Sequence, residues 1–168
     1  MNNKLYAAII AAVALLFGAV AYCYAQSDDY LATCVRVIDG DTVDLADAEQ
    51  RLHRVRIVGM DAPELGQPYG RAAKAALSEL VLHKEVHVVP AGVDKYTREL
   101  AVLRQNSVIG QLDVAEMMIS NGHAFSWGGA HYKAQEYAAA HRLGIWSDLR
   151  YQERPWLYRR RINLAAGR

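Results

Sequence analysis

The sequence predicts an α+β protein: a small five-stranded β-barrel with three helices, preceded by an N-terminal hydrophobic helix. Three observations carry this. Short alternating runs rich in β-branched residues recur between turn signals. One segment with helical periodicity interrupts them after the third run. Residues 5–25, LYAAIIAAVALLFGAVAYCYA, contain no charge. The composition is 52% hydrophobic and 22% charged over 168 residues, which excludes disordered, collagen-like and low-complexity classes. The length suits one domain with an appendage, and a domain of this size buries a proper core.

The elements follow in order. Leu31 to Ile38 reads as a strand, Asp39-Gly40-Asp41 as a turn, and Thr42 to Leu45 as a second alternating strand. An Asp-Gly pair between two such runs is a strong hairpin signal. Asp47 to Gln50 is turn-like, and Leu52, Val55, Ile57 and Val58 mark a third strand. Gly59 to Gly70 holds Pro63, Pro68 and three glycines and reads as a loop. Ala73, Ala76, Leu77, Leu80 and Val81 then fall on one helical face, predicting a helix over Arg71–Leu82. Glu85–Val89 and Glu99–Leu103 are the fourth and fifth strands, the former broken by Pro90-Ala91-Gly92 and the latter ended by a turn at Gln105-Asn106-Ser107. Asp113 and Glu116 have capping-box spacing at the start of a second helix, which Asn121-Gly122 ends. Tyr132 to Leu143 is the third helix, closed by Gly144. Three strands, a helix, two strands and two helices is the order of the OB-fold.

The leader divides the chain into residues 1–25, the folded domain 26–149 and a basic tail 150–168. An uncharged stretch of this length behind Lys4 targets a chain to a membrane. It fits a signal peptide cleaved near Ala25, where Cys23-Tyr24-Ala25 approximates the small-x-small rule. It fits an uncleaved anchor equally, since about 20 apolar residues span a bilayer. Either way the domain is expected outside the cytoplasm: secreted or periplasmic, or tethered by residues 5–25 and facing outward. Cleavage would leave Cys34 as a lone cysteine, read as a small buried hydrophobe.

Charge is unevenly spread. Residues 150–168 carry +5 and residues 27–149 carry −5. An acidic body argues against holding nucleic acid mainly by counterion release. Two cysteines make no disulfide framework, and no Cys/His cluster has zinc spacing; His131 and His141 are too far apart for a zincin pair.

Three motifs carry chemistry: Ile38-Asp39-Gly40-Asp41-Thr42-Val43, Val55-Arg56-Ile57-Val58-Gly59-Met60-Asp61-Ala62-Pro63-Glu64, and Asp94-Lys95-Tyr96-Thr97-Arg98-Glu99-Leu100-Ala101. Taken singly they read as a hairpin turn, a local turn or helix start, and a solvated loop. Together they supply two aspartates, a glutamate and two arginines at strand ends or loops. Carboxylate and carbonyl oxygens suit a hard cation such as Ca²⁺. Arginine forks fit phosphate oxygens bidentately. A metal, a guanidinium pair and a further carboxylate are the parts for hydrolysing a phosphodiester.

These residues resemble the thermonuclease (staphylococcal nuclease) family, in which IDGDTV, RVRIVGMDAPE and DKYTRELA occur in the same order. The resemblance runs from about Val35 to Ser147, with Tyr69-Gly70, Asn121-Gly122-His123-Ala124 and Gly144-Ile145-Trp146-Ser147 as weaker landmarks. It implies the OB barrel with three helices and a Ca²⁺-dependent nuclease acting on DNA, RNA or both with little sequence preference, as a monomer. It implies one Ca²⁺ held by Asp41, Asp61 and the carbonyl of Ala62, where the family often has Thr. It implies Glu64 as general base, Arg56 and Arg98 as phosphate-binding catalytic arginines, and Lys95 and Tyr96 as nucleotide contacts. Tyr132, with Trp127, is a further candidate for stacking on bases. Thr97 stands where the family usually has Gly; a β-branched residue resists positive φ, so the loop aiming Arg98 is expected to sit differently. Two competing readings are a nuclease-like OB module that binds nucleic acid or protein without catalysis, and a membrane-tethered envelope protein with a structural role.

Overall fold

A computed structural model describes residues 6, 9, 10, 12–16, 28–108 and 110–167. Most of the leader, with Cys23 and the expected cleavage point at Ala25, lies outside the described residues. Those of 6–16 that are described are helical and exposed. Among the described residues no helix is long and apolar enough to cross a membrane.

The strands are β1 (Tyr30–Val37), β2 (Thr42–Ala46), β3 (Leu52–Ile57), β4 (Met60–Asp61), β5 (Glu85–Val93), β6 (Glu99–Ser107), β7 (Gly110–Asp113) and β8 (Phe125–Ser126). The helices are α1 (Gly70–Val81), α2 (Val114–Ser120), α3 (Tyr132–Ala140) and α4 (Pro155–Ala165), with 3₁₀ turns at Gly144–Ser147 and Leu149–Tyr151 between the last two. The main sheet runs β3-β2-β1-β5-β6-β7, and β3 also pairs in parallel with β6. That pairing, with Arg56 opposite Leu100 and Ile57 opposite Ala101, closes five strands into the expected barrel. Closure removes the open edges that a small sheet would otherwise expose.

Alternation along β3 sends Val55 and Ile57 into the core and leaves Arg56 on the opposite face. The core gathers Val43, Leu45, Val55, Ile57 and Leu103 from the barrel with Leu77 of α1 and Met118 and Ile119 of α2. Cys34 is free and fully buried, and burial raises its thiol pKa to about 11. Asp113 caps α2 as its spacing predicts, accepting from the backbone N–H of Ala115 and of Glu116 at 2.8 and 3.2 Å.

Three details depart from the sequence expectation. The fourth strand does not stop at Pro90 but continues to Val93, absorbing the proline and glycine in a register shift between Pro90 and Gly92; proline is tolerated in a strand at such a bulge. The Gly59–Gly70 loop contains β4, which pairs Met60 with Ser126 and Asp61 with Phe125. Gln105 to Ser107 extend β6 instead of forming a turn.

Candidate active site

Asp41 ends the turn after β1. Its position is set by its neighbours: Asp39 Oδ1 accepts the Asp41 backbone N–H at 3.0 Å, and the Asp41 carbonyl accepts from Ile57 N at 2.9 Å. Gly40 is required beside it, because a Cβ there would lie 2.6 Å from the Ala62 methyl. The turn therefore packs directly on the segment carrying the second motif. Asp61 comes from β4 and is 1% exposed; Asp41 is 3% exposed.

Arg56 joins them. It reaches from the non-core face of β3, with Nη1 donating to Asp41 Oδ1 at 2.7 Å and Nη2 to Asp61 Oδ1 at 2.8 Å. The Ala62 backbone N–H donates to Asp41 Oδ2 at 3.1 Å, bringing the Ala62 peptide against the same carboxylate. Thr42 Oγ1 donates to Asp41 Oδ1 at 3.1 Å. Burial raises the pKa of the Asp41 carboxyl, and the Arg56 guanidinium pulls against that rise.

Glu64 stands three residues beyond Asp61 on the loop into α1. Gln67 braces that loop: its N–H donates to the Glu64 carbonyl at 2.8 Å, and its Oε1 accepts from Glu64 N at 3.2 Å. Gly70 begins α1 so close beneath Glu64 that a Cβ would fall 1.8 Å from the Glu64 carbonyl oxygen. The landmark glycine thus sets where Glu64 stands.

The β5–β6 loop forms the opposite wall. Asp94 organises it, its Oδ1 accepting the N–H of Tyr96 and of Arg98 at 2.8 and 3.0 Å. Arg98 returns Nε to Asp94 Oδ2 at 2.8 Å and lies 5.5 Å from the Tyr96 ring centroid, with Lys95 Nζ at 5.0 Å from the same ring. Partial burial acts to raise the Asp94 pKa, but these Arg98 and Tyr96 bonds outweigh it and hold the carboxylate below its ordinary range. Thr97 adopts φ 62° despite its β-branch. The loop keeps the turn a glycine would take, and Asp94 holds it there.

These walls enclose a cavity of about 790 Å³. Arg54, Arg56, Lys95, Arg98 and Arg159 line it with Asp39 and Glu64, and Tyr96 and Trp127 supply aromatic faces. Arg54 is held by Asp44, Arg56 by Asp41 and Asp61, Arg98 by Asp94, and Arg159 by Asp61 and Glu64, so the pocket presents a set of fixed guanidinium groups suited to phosphodiester oxygens. Asp41 and Asp61 lie outside this lining, joined to it through Arg56. Tyr132 does not line it either: it opens α3 as an exposed residue. Of the two, Trp127 is the one that lines the cavity.

Arg159 is the residue that the sequence motifs did not point to. It projects from α4, with Nη1 donating to Glu64 Oε1 at 2.6 Å and both terminal nitrogens donating to Asp61 at 3.1 to 3.2 Å. Burial works against its charge, yet Asp61 and Glu64 outweigh that and raise its pKa further. The available signal was Pro155 at a first helical turn followed by Arg159-Arg160-Arg161, which marks a basic helix but not its target.

The donor set suits a hard divalent cation. Asp41 and Asp61 offer only carboxylate oxygens, brought together by the width of one guanidinium, with the Ala62 N–H against Asp41. Among the described residues no three His, Cys, Asp or Glu side chains converge as a complete cage.

A closed barrel bearing a cationic pocket with buried carboxylates beside it defines a phosphodiester-hydrolysing enzyme of the OB class. The chain belongs to the staphylococcal nuclease family: residues 54–148 match the family described as staphylococcal nuclease homologue. It is similar to a micrococcal nuclease of Shigella flexneri, 34% identical over 91% of each chain. It also resembles an uncharacterized endonuclease of Haemophilus influenzae, 29% identical over 98% of this chain and 91% of that one. A third relative is the protein ParB of Escherichia coli, 33% identical over 97% of each. The protein is a nuclease, a hydrolase whose substrate is nucleic acid.

Proposed function

We propose that the enzyme is a Ca²⁺-dependent nuclease that cleaves DNA, RNA or both with little sequence specificity, acting as a monomer. The observation that carries this is the pair Asp41 and Asp61 on the two arms of Arg56, beside a pocket that also presents Glu64 and Arg98. Asp41, Asp61 and the Ala62 carbonyl would hold the ion, which when bound supplies positive charge to a phosphoryl oxygen.

The remaining roles belong to the chain. Glu64 accepts the proton of the attacking water; a carboxylate is ionised at neutral pH, so its position matters more than a tuned pKa. Arg56 and Arg98 donate to the phosphoryl oxygens and bind them more tightly as negative charge accumulates in the transition state. Arg98 also stands ready to assist the departing 5′-oxygen. Lys95 contacts the nucleotide, while Tyr96 and Trp127 offer faces for bases, an arrangement that tolerates sequence and favours single strands or frayed duplex. We further propose that residues 5–25 export the domain, as a cleaved signal or as an anchor; the mass of the mature N-terminus separates these.

Incubation of plasmid, single-stranded DNA and RNA with the protein in Ca²⁺ or in chelator tests the reading. Cleavage with Ca²⁺ and none with chelator is expected. A folded protein that retards nucleic acid without cutting it would move the assignment to a binding module.

A further inference from the structure

We propose that α4 is a displaceable strap: Arg159 sits on the carboxylates that the cation needs, and cation binding expels it. This rests on the reading of Asp41 and Asp61 as cation ligands. The argument begins with the oxygen atoms. Asp61 Oδ1 accepts from Arg56 and from both terminal nitrogens of Arg159, and Asp61 Oδ2 accepts from Arg159 as well. Both oxygens of Asp61 are therefore occupied by guanidinium. Arg159 also covers Glu64 Oε1 at 2.6 Å, so one side chain blocks a metal ligand and the proposed base together.

A guanidinium and a divalent ion compete here for the same lone pairs. Both are positively charged partners for carboxylate oxygen, and the two cannot occupy Asp61 Oδ2 and the space before Glu64 at once. Arg56 is different: it approaches from the barrel, engages only Oδ1 of each aspartate, and leaves Asp61 Oδ2 to Arg159.

The mounting of α4 suits release. Its base is fixed: Pro155 is buried, Arg154 lies 4.4 Å from the Phe125 ring centroid, and Gln67 Nε2 donates to the Glu153 carbonyl. Beyond Pro155 no residue of α4 is buried; Trp156, Leu157, Ile162 and Leu164 are exposed. Tyr158 and Arg159 turn toward the site, Tyr158 lying over Gly66, and the exposed Ile162 and Asn163 continue that face along an open cleft with Glu64, Leu65 and Tyr96. A helix held by so little apolar contact opens at low cost once its ion pairs are replaced. A binding-competent state populated only part of the time weakens apparent affinity by that fraction. Freed from Asp61, Arg159 adds positive charge to the rim of the phosphate pocket.

The test is calorimetric titration of CaCl₂ alone into the full chain, as wild type, Arg159→Gln, Arg159→Lys and Arg161→Gln, each shown to melt as a folded protein. A strap closed some 90–99% of the time predicts about 10- to 100-fold tighter Ca²⁺ binding by Arg159→Gln. Arg159→Lys should fall between, since one ammonium cannot span Asp61 and Glu64. Arg161→Gln removes a charge that pairs with Glu153 and lies 5.1 Å from the Tyr158 ring but touches neither Asp61 nor Glu64, and should shift Ca²⁺ binding far less than Arg159→Gln. Amide exchange across residues 155–165 of the wild type should accelerate on adding Ca²⁺. Unchanged or weaker Ca²⁺ binding by Arg159→Gln, or exchange in α4 indifferent to Ca²⁺, overturns the strap while leaving the cation site intact; a raised KM for nucleic acid alone would then make Arg159 a substrate contact. Absence of Ca²⁺ binding by every variant, with cleavage insensitive to chelator, removes the cation site itself and the strap with it.

Discussion

Asp41 and Asp61, which lie on different strands' ends, are held on the two arms of one guanidinium, Arg56, at 2.7 and 2.8 Å. The site depends on that fork. A lysine in its place presents its donors from one compact nitrogen and does not reproduce the spacing by which two separate guanidinium nitrogens each meet one aspartate. Arg56→Lys is therefore expected to lose about 100- to 1,000-fold in turnover, as when one transition-state donor is removed. It should also lose about 1–3 kcal/mol of stability, because buried Asp41 would lose a guanidinium partner and keep the Thr42 hydroxyl and the Ala62 N–H. Nicking assays and urea unfolding measure the two effects; a variant that keeps both rate and stability would show that the fork has no such role.

Glu64 is a different case, because its side chain is one third exposed and its loop is held by Gln67 and Gly70. Glu64→Gln keeps length and hydrogen bonding but not basicity. Melting temperature should be unchanged and turnover should fall by about 100-fold or more. Near-normal cleavage would remove Glu64 from proton transfer.

Thr97 carries backbone strain in the wall that holds Arg98. Its φ of 62° lies in the left-handed region, where a β-branched residue costs of order 1–3 kcal/mol and glycine almost nothing. Thr97→Gly should raise stability by about 1 kcal/mol, less the extra entropy glycine brings to the unfolded chain. Unfolding in denaturant decides it; a destabilised variant would mean that the bond from Thr97 Oγ1 to the Tyr96 carbonyl outweighs the strain.

The barrel's pH response should carry the signature of His123. Burial lowers its pKa below the ordinary value of 6.5, and its Nδ1 lies 3.0 Å from the Tyr69 hydroxyl. The unfolded chain takes up a proton there near its ordinary pKa, while the folded one resists. His123 thus costs nothing above that value, and stability falls as the pH drops through it toward the lowered folded pKa. His123→Gln should flatten the part of the slope that lies below the ordinary histidine value of 6.5. An identical pH profile for wild type and variant would contradict the assignment.

Much of this architecture was legible because it is local. The Asp39-Gly40-Asp41 turn, the alternation of Val55, Arg56 and Ile57, and the Asp113 cap each follow from residues a few positions apart. The arrangement of the three motifs was legible only through resemblance, since no local rule says that β3 pairs with β6 and so brings Arg56 beside the Asp94–Glu99 loop. Thr97 was expected to resist positive φ; it adopts φ 62°, in a loop where Asp94 accepts two backbone N–H groups and outweighs the preference of one residue. Pro90 was expected to end a strand that continues, because a bulge takes up the missing donor. Arg159 was illegible: its partners lie nearly a hundred residues away, and an arginine run in a tail looks the same whether it meets solvent or a carboxylate pair.

The most direct measurement is a Ca²⁺ titration of plasmid cleavage by the wild type and by Asp61→Asn. Cleavage by the wild type should rise to saturation with Ca²⁺ and vanish in EGTA, and Asp61→Asn should need far more Ca²⁺ or fail to cut. Cleavage that persists in EGTA, or an Asp61→Asn variant with the wild-type Ca²⁺ midpoint, would contradict the account.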